Sequence, residues 1–159
     1  HTNDSAGAVT RLVDMGVEPF LVASSVIGMM AQRLVRTLCP HCHYQRVPTE
    51  FELGQLGFTR ERFLEASQGF VLAAKGCAEC LDTGYQGRTG IYELLLVDDE
   101  IRALIMQNVD AGQIKKTAIR NKGMKTLRDD GARRVMMGET SIEEVLRVTQ
   151  EDLLDLVEV

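Results

Sequence analysis

Leu38-Cys39-Pro40-His41-Cys42 and Gly76-Cys77-Ala78-Glu79-Cys80 hold all four cysteines of this 159-residue chain. Two Cys-x2-Cys pairs are the usual way to build one tetrahedral zinc site, because each pair forms a tight turn that aims two thiolates at one point. Cys39, Cys42, Cys77 and Cys80 are therefore read as ligands of a structural zinc, with His41 and His43 beside the first turn as bystanders. The intervening 34 residues exceed a minimal zinc ribbon and must carry structure of their own. Ordinary buried cysteines, or a redox pair, are the competing reading, and the identical spacing with no cysteine left over weighs against it. A disulfide framework is weaker still: the chain is not a small secreted domain and no signal-peptide pattern opens it.

Composition bounds the function classes. At 159 residues the chain holds one domain or two small ones. A hydrophobic content of 45% with 26% charged residues belongs to a globular protein, not a disordered one. The net charge of -5 and an isoelectric point near 5.2 argue against nucleic acid as a partner, since phosphate binders carry a basic face. The most apolar run, 17–31, is shorter than the roughly 18 residues of a membrane span. It contains Glu18, Pro19 and two serines, so no transmembrane segment is expected and the run reads as core.

Working outward, Pro48-Thr49-Glu50 opens a short helix with Phe51, Leu53 and Leu56 as its apolar stripe. A second starts at Thr59 and carries Phe63 and Leu64. Neither can bury enough alone, so the metal is expected to pin them to the body. Upstream, Asn3, Asp4 or Ser5 caps a helix through Val9, Leu12, Val13 and Met15 that Gly16 closes. Glu18-Pro19 opens the next, expected from Phe20 to Met30 and buried between layers. Residues 32–38 favour a strand; Arg33 and Arg36 within it are solvated edge residues or anion ligands. Downstream, Gly84, Gly87 and Gly90 predict a series of tight turns, at least one at positive φ. A strand follows from Ile91 to Val97, and Arg88 is expected to pair with a carboxylate or reach a neighbouring surface. Asp98 and Asp99 cap one helix, Asp110 starts another that ends near Gly123, and Thr126 or Leu127 starts a third that Gly131 weakens and Gly138 stops. Thr140-Ser141-Ile142-Glu143-Glu144 offers a capping box in either register.

Three stretches together resemble one family: His1-Thr2-Asn3-Asp4; Gln32-Arg33-Leu34 leading into the first cysteine pair; and Gly76 through Glu93, whose Cys77–Glu93 part is the most specific. They resemble the C-terminal part of the secretion ATPases, the hexameric motors of bacterial type II secretion and type IV pilus assembly. Leu94 to Asp99 and Thr140 to Val145 look most like the type II secretion member. The resemblance covers essentially the whole chain.

It implies an α/β fold: the C-terminal part of a RecA-like ATPase core, an inserted four-cysteine zinc subdomain and a C-terminal helical region. Residues 1–38 would be core, 39–84 the zinc subdomain, 85–105 the return to the core and 106–159 the helical region. It further implies ATP and Mg2+ as cofactors of the full-length protein and a homo-hexamer. The motor would be cytoplasmic and peripheral at the bacterial inner membrane, working on inner-membrane secretion components. His1 matches the family's histidine near the γ-phosphate, and Cys39, Cys42, Cys77 and Cys80 match its zinc ligands. One departure is decisive for activity. A nucleotide motor needs G-x-x-x-x-G-K-[ST] and an acidic residue for magnesium, and neither is present; Gly123-Met124-Lys125-Thr126 interposes a Met and lacks the upstream glycine. The sequence looks like the downstream half of a motor, and the chain alone is expected not to hydrolyse ATP. Two other classes stay open: a free-standing zinc ribbon, which would want a basic, aromatic face, and a thiol oxidoreductase, which would want one low-pKa pair at a helix N-terminus.

Overall fold

A computed structural model describes residues 2–149, so His1 and the stretch 150–159 lie outside the described residues. The elements run α1 (Ser5–Asp14), α2 (Pro19–Ser25), β1 (Gly28–Leu38), β2 (Tyr44–Arg46), α3 (Glu50–Gln55), α4 (Arg60–Ala66), β3 (Val71–Ala73), a 3-10 turn (Ala78–Cys80), β4 (Tyr85–Leu96), α5 (Asp99–Met106), α6 (Ala111–Lys122), α7 (Leu127–Met136) and α8 (Ile142–Val148). Helix and sheet are thus mixed. Strand β1 pairs with β4, and β2 pairs with β3. No helix among the described residues is long and apolar enough to cross a membrane.

Two compact units emerge, each with its own core. The first takes residues 2–32 and 92–127. In it α1 packs on α6, α2 on α5, and α5 on α6, around Val9, Val22, Leu95, Ile101, Ile105 and Ile114. The helix starts lie where the chemistry asks for them. Asp4 caps α1 by accepting from the Gly7 N–H at 2.7 Å, and Asp98 and Asp110 do the same for α5 and α6. Gly123 closes α6 in the left-handed conformation, φ 65°.

The second unit takes residues 33–91 and 128–149. Its core joins Leu53, Leu56, Phe63 and Val71 from between the cysteine pairs to Ala132, Val135, Ile142 and Val145 of α7 and α8. This changes the account of the two small helices. Apolar contact with α7 and α8 holds α3 and α4, and a metal is not needed to supply their burial. Arg128 adds a polar tie: its guanidinium donates to the Gln55 carbonyl at 3.2 Å and to the Thr149 carbonyl. One buried cation thereby serves the C-terminal ends of α3 and α8, where helix carbonyls lack partners.

Several sequence expectations need correction. The helix expected over 20–30 stops at Ser25, and Met29 and Met30 belong to β1. Val26 and Ile27 are stiff at χ1, and Gly28 lets the partner strand approach so closely that a Cβ there would stand 3.2 Å from the Leu95 carbonyl oxygen. Nor is that helix wrapped on all sides: Val22 and Ala23 are buried, but Phe20 and Leu21 are exposed. Phe51 points out of α3 and Leu64 out of α4. The turns expected over 84–90 are mostly strand, because β4 starts at Tyr85. Gly84 (φ 77°) and Gly87 (φ 83°) do take positive φ, and Gly90 does not. Ser141 caps α8, but no reciprocal box closes, since the Glu144 carboxylate accepts from Arg36 and Arg147 instead.

Candidate metal centre

The four cysteines converge because the short β2–β3 ladder closes the loop between them. Tyr44 pairs with Ala73, Gln45 with Leu72 and Arg46 with Val71 in antiparallel register. Cys42 lies two residues before this ladder and Cys77 four residues after it, so pairing the strands brings the two turns together. At the other end, the Cys39 N–H donates to the Gly84 carbonyl at 3.0 Å, which ties the first turn to the residue that follows the second.

Each turn has its own closure. In the first, the His43 N–H donates to the Cys39 carbonyl at 3.3 Å. In the second, Cys77 precedes the 3-10 turn, and Leu81 and Asp82 follow in the left-handed conformation at φ 52° and 59°. The Thr83 hydroxyl donates to the Cys80 carbonyl at 2.7 Å. Two glycines make this compactness possible. A Cβ on Gly76 would stand 2.8 Å from the Asp82 carbonyl oxygen, and one on Gly84 would stand 2.6 Å from the Ala74 Cβ. Both also hold positive φ, 110° and 77°.

The sulfur geometry fits one ion. Sγ atoms of Cys39 and Cys77 are 3.9 Å apart, those of Cys42 and Cys80 3.7 Å, and those of Cys77 and Cys80 3.7 Å. All four lie within 4.8 Å of one another. A tetrahedron with metal–sulfur bonds of about 2.3 Å has edges of about 3.8 Å. A disulfide needs about 2.05 Å, and all four cysteines are free. Backbone N–H groups point at the sulfurs: Gly76 at Cys42 (3.3 Å), and Cys77 and Gly84 at Cys80 (3.3 and 3.2 Å). Burial pushes the Cys42 and Cys77 thiols up. Burial acts on Cys80 as well, but the N–H groups of Cys77 and Gly84 outweigh it and hold that thiol at about 6. Gathering thiolates in one place is unfavourable until a cation neutralises them, and an all-sulfur donor set suits a soft divalent ion such as zinc. With four protein ligands no coordination position stays open, so the arrangement suits structure rather than hydrolysis.

The remaining residues singled out from sequence fall elsewhere. His43 Nδ1 lies 2.9 Å from the Cys39 carbonyl oxygen, while the His41 side chain is exposed; among the described residues the candidate metal group consists of the four cysteines alone. Arg36 is not a spare anion ligand: it pairs with Glu144 at 2.7 Å and lies over the Tyr85 ring, 4.1 Å from its centroid. Arg88 is exposed and lines an open cleft with Arg36, Thr83, Tyr85 and Gly87. The role read for His1 falls outside the described residues.

Sequence reasoning passed over two buried carboxylates. Glu144, fully buried as a side chain, takes Arg36 and Arg147. Glu93, equally buried, takes Ser5, Leu127 and Lys115. The second was visible in principle, since strand alternation places Glu93 on the same face as Ile91 and Leu95.

Comparison with known proteins gives the family. Residues 1–147 match the family described as type II/IV secretion system protein. The type II secretion system protein E of Pseudomonas aeruginosa is 48% identical over 96% of this chain and 29% of its own length. The type II secretion system ATPase E of Vibrio cholerae is 47% identical over 95% of the chain and 29% of its own length. The type IV pilus assembly ATPase PilB of Thermus thermophilus is 47% identical over 95% of the chain and 16% of its own length. The chain thus spans less than a third of the length of these relatives. It belongs to the type II/IV secretion system protein family.

Proposed function

We propose that this chain is the C-terminal portion of a hexameric ATPase that powers type II protein secretion across the bacterial envelope. The observation that carries the reading is the 47% identity to a type II secretion system ATPase E over 95% of the chain. In this reading residues 1–38 and 85–105 belong to a RecA-like core, 39–84 form a zinc subdomain and 106–159 a C-terminal helical region. The motor works in the cytoplasm, docked peripherally on inner-membrane secretion components.

Cys39, Cys42, Cys77 and Cys80 hold a structural zinc, which supplies a rigid joint between the two turns and no reaction step. Phosphoryl transfer is catalysed by positioning and charge stabilisation from a Gly-rich loop, its Lys and Mg2+. Residues 1–159 contain no such loop, so ATP and Mg2+ are held by sequence outside them. His1 contributes an imidazole at the γ-phosphate or the attacking water. The direct test compares phosphate release by the full-length protein and by residues 1–159. The full-length hexamer turns over, the fragment does not, and His1→Ala in the hexamer lowers turnover while nucleotide binding persists. Magnesium-dependent turnover by the fragment alone would overturn this assignment.

A second reading has a specific observation behind it: identity to the type IV pilus assembly ATPase PilB of Thermus thermophilus is also 47%. Genetic complementation separates the two, by restoring either a secreted enzyme or surface pili.

A further inference from the structure

The first unit leaves one face of its strands apolar and open among the described residues. Over 28–32 of β1 and 92–96 of β4 the side chains alternate between two faces, as strand geometry requires. One face turns inward: Met29, Leu95 and Val97 pack with α1, α2, α5 and α6, and Glu93 is buried on the same side. The other face carries Gly28, Met30 and Gln32 from β1 and Tyr92, Leu94 and Leu96 from β4, with no charged side chain among them. Met30 is 63% exposed, Leu94 51% and Leu96 64%. These residues form one surface rather than scattered points. A Cβ on Gly28 would stand 3.6 Å from Leu96 Cδ2 and 3.8 Å from Leu94 Cδ1, and Gln32 Nε2 donates to the Tyr92 hydroxyl at 3.5 Å.

A single exposed leucine is ordinary, but a contiguous apolar face is not. A strand that meets water on one side alternates apolar with polar residues, whereas strands apolar on both sides are covered on both. Size decides what can cover this face. Five residues of each strand span about 17 Å by about 10 Å. That footprint is on the order of 200 Å2, well below the roughly 800 Å2 per partner of a stable interface. A free partner could not be held by so little. A segment of the same polypeptide could, because tethering turns association into an intramolecular step at high effective concentration. Relatives leave ample chain for it, since the present chain spans 29% of the length of the type II secretion system ATPase E of Vibrio cholerae.

We infer that the face made by Gly28, Met30, Tyr92, Leu94 and Leu96 is a docking surface for the sequence that precedes His1 in the full-length protein, which lays an apolar layer across it. The strands then lie between two layers, with the helices of the first unit on one side and the preceding sequence on the other. The inference rests on the motor reading above, which makes this chain the C-terminal portion of a longer protein.

The test uses the full-length protein with its natural sequence, so no variant has to fold. Photo-methionine, a diazirine analogue close to methionine in shape, is incorporated in place of methionine, and cross-links from position 30 are mapped by mass spectrometry. Mixing isotopically light and heavy copies separates links within one chain from links between chains. Position 30 is expected to link to residues preceding His1 in the same chain. Hydroxyl-radical footprinting of the unlabelled protein supplies a rate. Met30 should be oxidised about tenfold or more slowly than in the urea-unfolded chain, because a covered side chain reacts only when its cover opens. Links that join light to heavy copies overturn the inference, since a second copy is then the cover. Links confined to residues 1–159, or Met30 oxidised as fast as in the unfolded chain, overturn it as well. Phosphate release by the same unlabelled protein reports on the motor reading separately. ATP turnover with an open face overturns this inference alone. Absence of turnover overturns the motor reading, whereas a same-chain link to the preceding sequence still identifies the cover.

Discussion

Gly131 of α7 lies against Val145 of α8 so closely that a Cβ at residue 131 would stand 2.5 Å from Val145 Cγ1. In a helix interior, glycine costs about 1 kcal/mol relative to alanine, so sequence alone marks residue 131 as a weak point. The packing reverses the sign. Val145 is β-branched and fully buried, so it cannot swing aside, and overpacking of this kind costs about 1–3 kcal/mol. Gly131→Ala is therefore expected to lower stability by about 1–2 kcal/mol despite its better helix propensity. Chemical denaturation checks the direction, and adding Val145→Ala to Gly131→Ala should recover part of the overpacking loss. A more stable Gly131→Ala single variant would show that α7 and α8 do not pack this way.

The metal centre predicts a stoichiometry and a pattern of loss. One zinc should be bound per chain, and Cys77→Ser should abolish it. Helices α3 and α4 share a core with α7 and α8, so metal removal should loosen the two cysteine turns first. Hydrogen exchange after chelation is expected to rise sharply at 39–43 and 76–84 and only moderately across 50–66. Selective melting of 50–66 with an unchanged α7 would contradict this, and elemental analysis well below one zinc per chain would remove the site altogether.

What the sequence made legible, and what it did not, follows from the range of the interactions involved. Caps are local: Asp4, Thr49, Thr59, Asp98, Asp110 and Ser141 each bond a backbone N–H three residues on, so they could be read in place. The cysteine spacing is local within each pair as well, and its doubling pointed to a shared centre. The end of α2 was misjudged because it is decided by β4, some 70 residues later, whose backbone meets Gly28. Why residue 131 must be glycine was hidden for the same reason, its partner Val145 lying on the next helix. Arg36 and Glu144 are 108 positions apart, and nothing in either neighbourhood announces the other.

The turn after the second cysteine pair predicts an order of sensitivity among glycines. Gly84 combines φ 77° with a would-be Cβ only 2.6 Å from the Ala74 Cβ, and its N–H donates to Cys80 Sγ at 3.2 Å. Gly87 has φ 83°, but its nearest neighbour would be the Thr37 Oγ1 at 3.1 Å. Gly90 has no positive φ. Alanine should accordingly be most damaging at 84, less so at 87 and mild at 90. Position 84 alone should also weaken zinc retention, read by competition with a chromophoric chelator. Equal effects at all three positions would mean that backbone conformation does not shape this turn.

Acid sensitivity should come from two carboxylates of the second unit. Burial raises the pKa of Glu144, but the Arg147 and Arg36 guanidinium groups and the Arg36 N–H outweigh it and bring it from 4.5 to about 2. The Arg46 guanidinium, against desolvation and with help from Thr49, brings Glu52 from 4.5 to about 2. Both folded-state values lie below the unfolded one, so the unfolded chain binds more protons through this window. The associated stability is present in full above about pH 4.5 and is lost as pH falls towards 2. For Glu144, whose side chain has no solvent exposure, the loss is on the order of 2–3 kcal/mol. Glu144→Gln should remove this contribution at pH 7 and flatten the acid limb of the stability curve. Arg36 and Arg147 are 41% and 59% exposed, so both guanidinium groups stay hydrated after the substitution and add no buried-charge penalty. Urea midpoints measured between pH 7 and pH 3 for the unaltered protein and Glu144→Gln decide the matter. Parallel curves across that range would mean that Glu144 does not carry the acid dependence.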